Sequence, residues 1–252
     1  MKTWRYIVVV LLVFLTACYE VNEEIVINKD GSGTYATKID LSAMLQLMQS
    51  MASEEELAKN GLGRAIDTTI SMKEILDSAK DATPEQRRLF STGLMKLKMN
   101  MAENIFIADV NFKFNNYNDL QLLMAGNGVG GLGDIFKKVL SKDSTQEVNP
   151  DNGFDQFNTV FDISAKNGLL SRKLNQPKYD SLMNRPEMAQ AKQMMNTGFE
   201  ILYTTTIRLP RAVKKTDNDL IKLSEDKKTV TIKYDLLKML QTPEKFSYSI
   251  EY

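Results

Sequence analysis

Apolar residues alternate with polar ones along much of this chain, with the period of two that marks strands. Val21, Ile25 and Ile27 lead to Asn28, Lys29-Asp30-Gly31-Ser32-Gly33 carries turn residues, and Tyr35, Thr37, Ile39 and Leu41 resume the pattern. This predicts a hairpin with glycines where positive φ costs little. A second hairpin is expected where Met95, Leu97, Met99 and Met101 alternate with Lys96, Lys98 and Asn100, turn at Ala102-Glu103-Asn104, and continue as Ile105 to Phe114. Further on, Phe157, Thr159, Phe161 and Ile163 alternate, with Leu169 to Leu174 as their partner. Phe199 to Leu209 forms the longest run, stopped by Pro210. Ile221 to Leu223 and Val230 to Tyr234 flank a turn at Ser224 to Lys228, and Phe246, Tyr248, Ile250 and Tyr252 close the chain.

Helical signals fall between the strands. Ser42 is placed to cap Ala43 to Met51, where Met44, Leu47, Met48 and Met51 share a face. Ser53 with Glu56, and Ser71 with Glu74, have the spacing of capping boxes. Thr83-Pro84-Glu85 opens a helix with proline in its first turn. Asn118 to Ala125, Asp134 to Leu140 and Leu236 to Leu240 read as short helices. Pro186 to Asn196 reads as a longer one, with Met188, Ala191, Met194 and Met195 mostly on one side. The pattern predicts an α+β fold of antiparallel sheets built from hairpins, wet on one side, with several short helices packed on the other.

The first seventeen residues have a different character. Lys2 and Arg5 make a basic start, Tyr6 to Leu15 is unbroken apolar sequence, and Thr16 and Ala17 precede the sole cysteine, Cys18. The apolar run has about half of the roughly 20 residues a membrane-spanning helix needs, so it reads as a signal peptide to be set apart from the fold. Residues 18–252 then form a single domain, with the polar loop 141–153 as the candidate internal boundary. Strand patterning begins so soon after Cys18 that a tether of about three to five residues is expected, spanning roughly 10–18 Å.

Composition narrows the chemistry. Setting aside Lys2 and Arg5, 30 Lys plus Arg face 32 Asp plus Glu, without the basic excess of a nucleic-acid binder. There is no histidine, which removes the commonest general base and metal ligand. One cysteine makes no internal disulfide. Gly126-Asn127-Gly128-Val129-Gly130-Gly131 has the glycines of a dinucleotide loop but follows a helix-like segment instead of a strand. Ser224-Glu225-Asp226-Lys227 spells the S-x-x-K of penicillin-recognising enzymes, within an expected hairpin turn. Asp30 with Ser32, and Asp217 with Asp219, lack the remainder of a calcium loop. Met95, Met99 and Met101 share a strand face, where core packing explains them better than soft-metal binding. Glu54-Glu55-Glu56 belongs on an exposed helix start. No catalytic residue, metal ligand or cofactor is assigned.

Leu15-Thr16-Ala17-Cys18 resembles the lipobox of bacterial lipoproteins. That resemblance implies a diacylglyceryl group on Cys18, cleavage before it, and a membrane lipid as its first partner. Two or three acyl chains anchor far more firmly than one. The opening Asp30-Gly31-Ser32-Gly33-Thr34 hairpin is similar to uncharacterised lipoproteins of Bacteroidetes-type bacteria. So are Tyr203-Thr204-Thr205-Thr206-Ile207-Arg208-Leu209-Pro210 and Val230-Thr231-Ile232-Lys233-Tyr234. The same segments more faintly resemble the LppM-type lipoprotein domain. Tyr19 in place of aspartate after the cysteine favours the outer membrane by the enterobacterial sorting rule. Glu20, Glu23 and Glu24 resemble the acidic surface-export signals of Bacteroidetes lipoproteins. The expected function is a non-enzymatic envelope lipoprotein that binds lipid, peptide or a protein partner through an apolar, methionine-bearing groove. Alternatives are a structural part of an envelope assembly, or an enzyme working with carboxylate, lysine, serine or tyrosine.

Overall fold

A computed structural model describes residues 19–53, 65–74, 84–127, 158–186 and 200–252, with single positions 55, 57, 188, 189 and 192. Strand β1 (Tyr19–Ile27) turns into β2 (Gly33–Asp40), followed by α1 (Ser42–Met51), β3 (Ile66–Ser71) and α2 (Pro84–Phe90). The hairpin β4 (Leu94–Asn100) and β5 (Ile105–Phe114) leads to α3 (Tyr117–Leu122), which continues as a π-turn over Leu123–Asn127. Then come β6 (Phe161–Lys166), β7 (Leu169–Leu174), α4 (Gln176–Met183), β8 (Ile201–Arg208) and the short β9 (Lys215–Thr216). The chain finishes with β10 (Ile221–Leu223), β11 (Thr229–Asp235), α5 (Leu236–Gln241), a 3-10 turn over Pro243–Phe246, and β12 (Tyr248–Glu251).

These strands make an eight-stranded sheet in the order β10-β11-β8-β1-β2-β5-β4-β3 and a four-stranded sheet in the order β6-β7-β12-β9. The α+β architecture expected from the alternation is what forms. Its sheets are antiparallel except at one place: β1 lies parallel to β8, with Tyr19 beside Ile201 and Ile25 beside Ile207. Alternation then divides the large sheet by face. Ile25, Tyr35, Val110, Phe112, Met95 and Ile207 are buried on one side, while Lys38, Lys96, Lys98, Asp109 and Lys113 are exposed on the other.

The buried face is covered by the small sheet and the helices. Leu170 and Ile250 of the small sheet join Ile25, Phe112 and Ile207 in one core cluster, with Leu89, Phe90 and Leu120 from α2 and α3. A second cluster gathers Phe161, Leu182, Ile201, Leu236, Leu237 and Phe246 around α4 and α5. A third packs Leu45 of α1 on Leu97, Met99, Phe106 and Ala108. Burying each of these large side chains contributes about 1.5–3 kcal/mol.

Several expectations change. Ser42 does not cap α1: Leu41 occupies the cap position without a side-chain bond, and the Ser42 hydroxyl accepts the Phe106 N–H at 3.1 Å, tying α1 to the sheet. Caps are supplied by Asn116, Asn175 and Asp235, whose side chains accept from the N–H of Asp119, Lys178 and Leu237. Strand β3 and helix α4 were not expected. The run through Phe157 becomes a strand only at Phe161, after a 3-10 turn. The tether expected ahead of the first strand is shorter, because β1 already pairs at Tyr19. Glu54, Glu56, the helix at 134–140 and loop 141–153 lie outside the described residues.

Candidate functional site

Two charged residues point into the core, one from each sheet. Glu23 occupies the middle of β1, on the inward side between Val21 and Ile25. The register places Thr37 of β2 and Thr205 of β8 on either side of it. Its carboxylate accepts from the Tyr35 hydroxyl and from the Thr205 hydroxyl, the latter at 2.8 Å. Arg172 is the inward residue of β7, flanked by Ile163 and Tyr248. Its guanidinium lies 3.9 Å from the Phe161 ring centroid, a cation–π contact, and one nitrogen reaches the Met239 sulfur of α5 at 3.3 Å.

Tyrosines fill the space between. Tyr203 and Tyr234 stack at 5.0 Å between centroids, and Tyr234 also meets Phe246 at 5.0 Å. Burial, reinforced by the Glu23 charge, pushes the Tyr35 and Tyr203 hydroxyls well above the ordinary phenol range. Burial likewise raises Tyr234 and Tyr248, against the lowering influence of Arg172. Burial works against the Arg172 charge, but Tyr234, Tyr248 and Glu23 more than offset it and raise the guanidinium pKa. The hydroxyls therefore stay protonated, suited to donate hydrogen bonds and unsuited to attack a substrate. Thr37 Oγ1, Arg172 Nε and the Tyr234 hydroxyl are buried without a hydrogen-bond partner. Arg172 and Tyr234 influence each other's titration, but the neutral Tyr234 hydroxyl and Arg172 Nε do not reach bonding geometry. Such unpaired groups are costly in a low-dielectric core. Glu23 is thus part of the interior, not of an exposed acidic signal; of its neighbours, Glu20 is exposed and Glu24 half-buried.

An open cleft of about 500 Å³ lies beside this core. One side of α4 lines it with Pro177, Lys178, Ser181 and Leu182, continued by Arg185, and Phe161, Thr159 and Ala125 complete the wall. Asn175 fixes the start of α4 and the Tyr179 hydroxyl donates to the Leu240 carbonyl at 2.5 Å, so the helix is held against α5. Lys178 pairs with Asp162 at 2.8 Å, and that bond, first among the causes, lowers the Asp162 carboxyl pKa. The cleft combines an apolar floor with two cationic side chains, a lining suited to an amphipathic anion.

Cys18 lies outside the described residues. Gly126 and Asn127 end the π-turn that prolongs α3, so the glycine motif follows a helix and not the strand a dinucleotide loop requires; residues 128–131 are not described. Ser224 to Lys227 form the β10–β11 turn, where Ser224 donates to Asp226 at 2.6 Å and Lys227 has φ of 53°. Asp30 receives the Ser32 hydroxyl and N–H, the turn chemistry that lowers its pKa. Asp217 accepts the Ser249 N–H at 2.6 Å. Among the described residues no three His, Cys, Asp or Glu come together as a metal site. Met95, Met99 and Met188 are buried in the core, and Met48 packs against the third cluster. Of the methionines expected to line a groove, Met188 is a core residue and Met48 is half-buried against the third cluster; the side chains of Met44 and Met51, and Met194 and Met195, lie outside what is described.

The buried Glu23 and Arg172 were not anticipated, although their signal is present. Glu23 stands between Val21 and Ile25, and Arg172 between Leu170 and Leu174, each at inward parity in an alternating run. Comparison of the chain with known protein families, curated proteins and solved structures finds no match.

Proposed function

We propose that the chain is a lipid-anchored, non-enzymatic lipoprotein of the cell envelope, at the outer membrane, that binds an apolar or amphipathic partner. The cleft along α4 carries this reading: Phe161 and Leu182 give it an apolar floor, and Arg185 and the Asp162-paired Lys178 give it polar, cationic groups at the rim. Ligand sites typically have this size and this mix of apolar walls with a few polar groups. The lipobox at Leu15–Cys18 and the resemblance to Bacteroidetes-type lipoproteins support the anchoring. Ser181 is exposed beside the cleft, so Ser181→Trp fills it without disturbing the core. Native mass spectrometry of protein extracted from envelopes should find a lipophilic adduct that Ser181→Trp loses. Wild-type protein without an adduct, or an adduct unaffected by the substitution, would sink the reading.

A second reading, a structural part of an envelope assembly, is favoured by the large sheet itself. Its order ends on β3, and Leu94 on the open face is 51% exposed. Edge strands and exposed apolar positions are where chains join. Cross-linking in intact cells that traps a protein on β3 would promote this reading.

A further inference from the structure

Strand β1 is already paired at Tyr19, the residue after Cys18, and it is an interior strand of the large sheet. Consecutive Cα atoms lie about 3.8 Å apart, so whatever precedes Tyr19 leaves from one particular end of that sheet with almost no slack. The register identifies what else lies at this end. Glu20 pairs with Asp40 and Leu202 with Asp235, which places the start of α1 and the start of α5 there. Asp40 pairs with Ile107 and Asn100 with Ile105, which adds the β4–β5 turn at Ala102 and Glu103. The opposite end holds the turn at 28–32 and the β10–β11 turn at 224–228. Eight strand steps separate the two ends, roughly 27 Å at about 3.3 Å each.

We infer that the end formed by Tyr19, α5 and the β4–β5 turn rests on a lipid bilayer surface, with the strands running away from it and the turns at 28–32 and 224–228 farthest out. This rests on the anchoring proposed above. The occupant follows from the chain before Tyr19: an apolar run over Tyr6 to Leu15 and then the lipobox cysteine. No described helix is long and apolar enough to cross a membrane. The end carries Glu20, Glu103 and Glu200 alongside Lys98 and Lys238. Charges of both signs leave the tether, and not attraction to anionic headgroups, to set the pose. Leu182 and Phe161, which line the α4 cleft, share a core cluster with Ile201, the partner of Tyr19. The cleft thus lies in the bilayer-side half, where an amphiphile leaving the membrane would meet it.

The single tryptophan, Trp4, precedes the lipobox, so a Trp4→Phe background allows one new tryptophan to act as sole reporter. Ala102→Trp and Gln241→Trp mark the inferred bilayer side, and Glu225→Trp marks the far side; all three positions are exposed. Protein purified from envelopes with its lipid in place is reconstituted into phosphatidylcholine vesicles with brominated acyl chains. Circular dichroism confirms the fold, and flotation is measured before fluorescence. The expected result is flotation, with quenching several-fold stronger at 102 and 241 than at 225, and unchanged by salt. Floating protein quenched equally at all three, or most at 225, overturns the orientation and leaves the anchoring intact. Protein that does not float overturns the anchoring, and the orientation with it.

Discussion

Replacing Glu23 with leucine tests whether the buried cluster holds the two sheets together. The substitution keeps the side chain's bulk but removes the acceptor for Tyr35 and Thr205. Hydrogen bonds to a charged group contribute about 1.5–3 kcal/mol each, and stranding a buried donor costs about 1–3 kcal/mol. Arg172, 8% exposed, also loses the negative charge facing it from the other sheet. Against this, the carboxylate no longer has to be stripped of water. The two lost hydrogen bonds to a charged acceptor and the stranded Tyr35 and Thr205 hydroxyls place Glu23→Leu at about 3–5 kcal/mol. Glu23→Gln keeps one acceptor oxygen and should cost about 1–3 kcal/mol, since both charged bonds lose their charge. Arg172→Met alone should be comparably harmful, but combined with Glu23→Leu it should cost about 1–3 kcal/mol less than the sum, since the two buried charges act on each other across the core. Urea unfolding of the mature domain followed by circular dichroism measures all four variants. A Glu23→Leu loss under about 1 kcal/mol, or effects that add within about 0.5 kcal/mol, would refute the idea that the buried cluster holds the sheets together.

Asp119 is buried under Arg88, which bonds it at 2.5 and 3.1 Å; those bonds first, then the Asn115 N–H, hold its carboxyl below the usual range. Its contribution is complete above the unfolded value of about 3.9 and drains as pH falls toward the lower folded value. Asp119→Asn should therefore destabilise the domain at neutral pH by about 1–3 kcal/mol and flatten its acid-side decline; superimposable acid titrations would contradict this. Gly31→Val and Gly33→Val should each lower the melting temperature, for different reasons. Gly31 has φ of 85° and a new Cβ would sit 2.7 Å from Tyr117, whereas at Gly33 the Cβ would sit 1.9 Å from the Val26 carbonyl oxygen. An unchanged midpoint for either would argue against that turn geometry. Cys18→Ser should remove acyl label from the protein, because a hydroxyl does not replace the thiol as lipid acceptor; metabolic labelling with a palmitate analogue followed by phase partitioning is the measurement, and retained label would refute the anchor.

Local pattern carried most of the strands because one face of the large sheet is open to water, so inward and outward residues differ in kind. Where that contrast fades, so does the reading. Strand β3 offers only Ile66, Thr68 and Ile70 inward, all half-buried at the sheet's edge, and its β-branched residues were the sole available cue. Helix α4 begins Gln-Pro-Lys-Tyr and buries only Leu182, so periodicity has little to work with, although Asn175 before Pro177 is a start signal. The parallel pairing of β1 with β8 is invisible to any local window, because register between distant segments depends on the assembled core. The cluster was only half legible for the same reason: inward parity marks Glu23 and Arg172 singly, but no local window shows that two sheets close over them together. The α4 cleft likewise draws its wall from segments as far apart as Ala125 and Arg185.

That one parallel pairing bears on how the chain must fold. Thr205 stands 182 positions after its partner Glu23, so an interior strand synthesised first keeps one bare edge until nearly the whole chain has emerged. Closing so long a loop costs about 5 kcal/mol of chain entropy beyond a constant, and topologies rich in such distant contacts fold slowly. A polypeptide threaded through a membrane from its N-terminus would spend that interval with Val21, Ile25 and Ile27 unshielded on an incomplete hairpin, open to pairing with the wrong neighbour. On the proposed envelope reading, safe passage is a kinetic problem set by strand order, and a companion that shelters the first hairpin until β8 arrives would relieve it.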